Sequence, residues 1–255
     1  MADQAVSGAE AFGTLPDGRT VTRHHIAAGE IEAAILTYGA TVQDLRVGGR
    51  RVVIGADRID PYLGDLRYAG AIVGRFANRI GKARFDLDGR TFHTDPNFLG
   101  RHTLHGGAEG AGNRLWTLEE AEADRLRLSL LLPDGDMGFP GEMTVTAEYS
   151  LLPPGTLRLV IEAHTTRPGP CSFAHHGYFV LDDSGTISGH DLHIDAGAYL
   201  PVDAELIPTG EIAPVAGTPF DFRAARRTGE AGYDHNFCLA GHAGPLRQVA
   251  RLASA

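Results

Sequence analysis

Cysteine is almost missing from this 255-residue chain: only Cys171 and Cys238 occur, and neither stands in a C-x-x-C pair. Two isolated thiols exclude a disulfide-stapled scaffold. Positive charge is also short, with 23 Lys+Arg against 32 Asp+Glu and a formal charge of −9. Nucleic acid and anionic membranes recruit a Lys/Arg surplus, so neither is expected as the main partner. No apolar run approaches the ~18–20 residues of a membrane helix. The opening Met1-Ala2-Asp3-Gln4-Ala5-Val6 lacks the basic-then-apolar order of a secretory signal. With 43% apolar and 22% charged residues the composition is that of a folded, soluble chain, and a cytoplasmic one is expected.

Helix-favouring stretches are scarce as well. The 33 glycines and 14 prolines break every long periodic segment, which favours short strands joined by turns. Apolar residues alternate strictly in Leu126-Arg127-Leu128-Ser129-Leu130, and 144–149, 157–161 and 192–195 are also strand-like. Pro133-Asp134-Gly135 and Pro153-Pro154-Gly155 supply turns between them. Residues 83–87 and 90–94 flank Asp88-Gly89, the signature of a tight hairpin. The best helical candidate, 57–66, is interrupted by Pro61 and Gly64, while 246–252 reads as a strand just starting. The expectation is an all-β protein, a sandwich or barrel, forming one domain over 1–255 with no internal repeat or linker.

Histidine is the conspicuous abundance, 12 in all. His102 and His105 precede Gly106-Gly107, His175-His176 precede Gly177-Tyr178-Phe179, and Asp234-His235-Asn236 lies near the end. Metal ligation, structural hydrogen bonding and acid–base work are all open to such residues. A zinc pair from His102 and His105 would need a helix, and the following glycines oppose one. On a strand His175 and His176 face opposite ways, and Tyr178 shares the face of His176. Other signatures fail. Residues 74–82 lack the spacing and the Ser/Thr of a phosphate loop, 106–112 lacks dinucleotide-fold spacing, and no G-x-S-x-G elbow occurs. Arg79 alone would read as a surface ion-pair arginine, and Asp234 alone as a turn residue.

Together, however, several motifs stand in an order that resembles the aldose 1-epimerase (galactose mutarotase) family. They are Gly74-Arg75-Phe76-Ala77-Asn78-Arg79-Ile80, Leu104-His105-Gly106-Gly107, the glycine-rich 133–141, His176-Gly177-Tyr178-Phe179, the 199–222 segment and Tyr233-Asp234-His235-Asn236-Phe237. The resemblance implies the family's galactose-mutarotase-like β-supersandwich and the interconversion of α and β anomers of free hexoses without a cofactor. It implies His176 as general acid and His105 as a second histidine near the ring oxygen. Asn78 and Arg79 would grip sugar hydroxyls and Asp234 would accept hydrogen bonds from the far side of the ring; Tyr178, sharing the face of His176, would line the site or simply pack there. The family's base is a glutamate in a C-terminal motif, and residues 235–255 contain neither Asp nor Glu. The matching region is therefore expected to be the N-terminal three quarters of a family member, a poor mutarotase by itself with exposed sheet edges. The alternative is a non-catalytic carbohydrate-binding or sensing relative. A hexose-6-phosphate enzyme would need a cationic cluster that the sequence does not mark.

Overall fold

The computed structural model describes residues 8–239 and 244–254. Residues 1–6, read above for a secretory signal, lie outside that range. The chain divides into two compact units, 1–179 and 180–255. Among the described residues every helical segment is a short 3-10 turn, and the regular structure is otherwise β.

Two antiparallel meanders build the first unit. One runs Glu10–Thr14, Thr20–Ala28, Ile31–Leu36, Thr41–Val47, Arg50–Arg51, and the other Thr117–Ala121, Arg125–Leu132, Met143–Leu152, Thr156–Thr165. Alternation in sequence becomes alternation in burial. Leu126, Leu128 and Leu130 point inward opposite Tyr149, Ala147 and Val145 of the neighbouring strand. These side chains form one core with Ile26, Ile31, Ile35, Val42 and Leu45 of the first meander, so the two sheets pack face to face. The Tyr149 hydroxyl, fully buried, donates to the Ala40 carbonyl at 2.7 Å and joins the sheets by a hydrogen bond.

The hairpin expected at Asp88-Gly89 pairs Arg84–Leu87 with Arg90–His93, and φ of 50° and 73° at its two turn residues gives the strand-matching twist. The 57–66 segment is only a 3-10 turn, Asp60–Leu63, ended at Gly64; it folds to bury Tyr62 against Leu15, Val21 and Leu36. The glycine-rich 133–141 loop is structural. Asp134 accepts from the Gly141 N–H at 2.6 Å, and buried Arg75 donates to the Gly141 carbonyl at 2.6 Å, tying this loop to the 74–80 segment.

In the second unit Asp191–Ile194 pairs with Arg226–Arg227 and Ala250–Ala253, and Ala196–Tyr199 pairs with Ala213–Pro214 and Phe237–Leu239. The C-terminal strand thus begins four residues later than the sequence pattern indicates. His190 is buried and accepts from the Leu181 N–H at 3.0 Å, a structural histidine.

Candidate active site

The 74–80 and 104–107 motifs meet through a short ladder, Arg79–Ile80 against Thr103–Leu104. At its end both chains turn into the left-handed region, with φ of 66° at Asn78 and 52° at His105. The two residues then bind each other. The His105 N–H donates to the Asn78 carbonyl at 2.9 Å, and the Asn78 N–H donates to His105 Nδ1 at 3.1 Å. An Nδ1 that accepts a backbone N–H carries no proton, so neutral His105 presents its N–H at Nε2. Asn97 supports the same corner: its side-chain amide bonds both the N–H (2.7 Å) and the carbonyl (3.0 Å) of Leu104. His102 is buried, its Nδ1 accepting from the Lys82 N–H at 2.8 Å, and serves as scaffold.

His176 arrives from the other side. Ala174–His175 pairs with Ile72–Val73, and the next residue continues the connection: the His176 N–H donates to Ala71 and its carbonyl accepts from Gly70, both at 2.8 Å. Its imidazole meets that of His105 at 5.1 Å between ring centroids and an 88° interplanar angle. Tyr178 lies 5.3 Å from the His176 ring, on the same face, as the alternation requires.

His175 points the other way, and its Nε2 is buried. Burial pushes its imidazole below the ordinary histidine range, the charge of His176 acts in the same direction, and a Gly70 backbone bond opposes them. A depressed pKa means that the unfolded chain takes up the proton first as pH falls below about 6.5, so stability present at neutral pH is lost on acidification. Urea midpoints are therefore expected to drop between pH 7 and pH 5, and to drop less in His175→Asn. An unchanged pH slope in that variant would contradict the assignment.

Arg79 is oriented rather than loose. Its Nη1 donates to Asn78 Oδ1 at 2.8 Å and its guanidinium covers the Phe98 ring at 4.9 Å. Asn78, Arg79, His105, His176 and Tyr178 are thus brought together by a continuous chain of contacts. Tyr68 belongs with them and escaped the sequence reading. Its ring is 4.8 Å from that of His105 and 6.4 Å from that of His176. The only sequence signal was an aromatic residue in the turn just ahead of the 74–80 motif.

Asp234 lies in the second unit, in irregular chain just ahead of the Phe237–Leu239 strand. Its neighbours Tyr233, His235 and Phe237 alternate into an aromatic cluster. Tyr233 packs on Phe222 at 5.0 Å, and His235 on Phe220 at 4.4 Å. Asp234 itself is exposed, between half-buried Tyr233 and His235.

Two perpendicular imidazoles, one with its donor nitrogen set, beside an oriented guanidinium and amide, suit proton transfer to a small polyhydroxylated molecule. The aldose 1-epimerase family model matches residues 22–255. The chain is 39% identical over 245 residues to a galactose mutarotase of Bos taurus, covering 90% of this chain and 71% of that protein. It is 33% identical over 244 residues to the aldose 1-epimerase of Escherichia coli strain K12, covering 88% and 70%. The galactose 1-epimerase structure from Lactobacillus acidophilus NCFM superposes with a TM-score of 0.85 at 25% identity, covering 97% of this chain and 77% of that one. An aldose epimerase homologue from C. elegans gives the same TM-score at 29% identity, covering 92% and 75%. The chain belongs to the aldose 1-epimerase family.

Proposed function

We propose that this chain interconverts the α and β anomers of free hexoses such as galactose or glucose, working as a cytoplasmic mutarotase on a small-molecule substrate. The observation that carries the reading is the His105–His176 pair, 5.1 Å between centroids, adjoining the Asn78–Arg79 hydroxyl grip. Ring opening moves only protons. In this chain the C1 hydroxyl loses its proton to water or buffer, the bond from C1 to the ring oxygen breaks, and the ring oxygen takes a proton from His176. Rotation about C1–C2 and the reverse sequence give the other anomer. His105, with Nδ1 occupied by the Asn78 N–H, offers its Nε2–H to the ring oxygen. Asn78 and Arg79 hold sugar hydroxyls and Tyr178 forms part of the wall, while Asp234 is assigned to sugar hydroxyls by the family resemblance alone. No cofactor enters the sequence. The carboxylate base of the family has no counterpart in residues 235–255, which hold no Asp or Glu.

Titration calorimetry with galactose and glucose tests the grip. Arg79→Ala and Asp234→Ala are each expected to weaken binding by roughly tenfold, because truncation leaves a hydroxyl and its pocket partners unpaired. Equal affinity in wild type and both variants would remove these two residues from the site.

A further inference from the structure

Tyr68 occupies the left-handed region with φ of 73°, a conformation a bulky aromatic residue rarely adopts. Such a residue persists only where its surroundings over-determine it, and here three sets of contacts do so. Its carbonyl accepts from the Ala71 N–H at 2.9 Å, closing a turn. Its hydroxyl accepts from Asn113 Nδ2 at 3.3 Å, and the Arg67 guanidinium lies 5.1 Å from its ring centroid. Arg67 and Asn113 are themselves fixed on the carbonyl of Ala108, at 3.1 and 3.0 Å. The ring so held touches both histidines, edge-on to His105 at 4.8 Å and tilted to His176 at 6.4 Å. The same turn also carries His176 by its backbone, since Gly70 and Ala71 bond both its carbonyl and its N–H. One turn therefore sets where His176 starts and supplies the ring against which its imidazole and that of His105 come to rest.

From this geometry we infer that Tyr68 is a positioning residue for the proton-transfer pair, acting through its ring. The inference rests on the mutarotase reading for its kinetic consequence, but not for its structural one. Tyr68→Phe keeps the ring and loses only the Asn113 bond, so kcat should stay within about threefold of wild type. Tyr68→Leu removes the face on which both imidazoles rest. A misplacement on the scale of 1 Å costs about 10²-fold in rate, so kcat should fall by ~10–100-fold while KM changes little.

The deciding measurement is a histidine NMR titration of wild type, Tyr68→Phe and Tyr68→Leu beside galactose mutarotation kinetics. The His105 and His176 ring signals should move together in Tyr68→Leu, with the acid limb of the pH–rate profile, and keep wild-type positions in Tyr68→Phe. Wild-type kcat and histidine signals in Tyr68→Leu would overturn the inference, and so would a Phe variant as damaged as the Leu variant. If Tyr68→Leu does not fold, nuclear Overhauser contacts in wild type decide. Tyr68 ring protons should reach ring protons of both histidines, and contact with one alone would overturn the assignment. A protein joined to a family C-terminal segment with the catalytic glutamate and still without mutarotase activity would refute the proposed function while leaving the NMR arms readable.

Discussion

Once the chain is joined to a C-terminal segment carrying the family's glutamate, His176→Asn is expected to lower mutarotation by ~10²-fold or more, because asparagine keeps a hydrogen-bond donor but has no proton to give and take back. The geometry makes His176 the group with freedom to do this. His105 has its Nδ1 occupied by the Asn78 N–H at 3.1 Å, and a proton placed there would set two N–H groups against each other. His105 is thus suited to donate a hydrogen bond throughout the cycle, and His105→Asn should raise KM and lower kcat less than the His176 change does. Polarimetry of freshly dissolved α-galactose reads both effects. A His176→Asn protein as fast as wild type would remove His176 from the mechanism.

Gly106→Ala should be the most damaging single methyl in the site. A Cβ there would lie 2.1 Å from the Gly74 carbonyl oxygen and 2.6 Å from the Arg75 nitrogen, at a φ of 87°. Both obstacles are backbone, so no side chain can rotate away, and the 104–107 and 74–80 segments must separate. Left-handed strain and overpacking together are expected to cost ~2–4 kcal/mol. The separation displaces His105 and should cost about 10²-fold in rate. Gly89→Ala provides the control: its φ is 73° but nothing lies within 4 Å of the added methyl. That variant should lose about 1 kcal/mol by urea denaturation and keep full activity. Equal behaviour of the two would show that the close approach at Gly106 carries no weight.

Much of the first unit was legible because one physical signal, period-two alternation, governs it. The run 126–130 and the run 144–149 are half-buried surfaces, and the structure pairs Leu128 with Ala147 as that pattern demands. Asp88-Gly89 was equally readable, since few residue pairs tolerate two successive positive φ values. The 57–66 segment misled because its apolar spacing reflects Tyr62 filling a small apolar cluster, not a helix face. In the site, the motifs marked His105 and His176, but not what holds them. Tyr68 and Asn97 act through a left-handed turn and a side-chain amide that substitutes for a strand neighbour, and neither leaves a periodic trace. The lock on His105 Nδ1 is a backbone N–H, which every non-proline residue has, so sequence could not single it out.

Polarimetry of α-galactose puts the acid–base assignment to its most direct test. Three proteins are compared: the 255-residue chain, the same chain joined to the C-terminal segment of a family relative that carries the catalytic glutamate, and His176→Asn in that joined form. A positioned base contributes ~10²–10⁴-fold. The joined form should therefore equilibrate the anomers far faster than the 255-residue chain, and His176→Asn should return it close to the buffer rate. A joined form no faster than buffer, or one indifferent to His176→Asn, would contradict the proposed function.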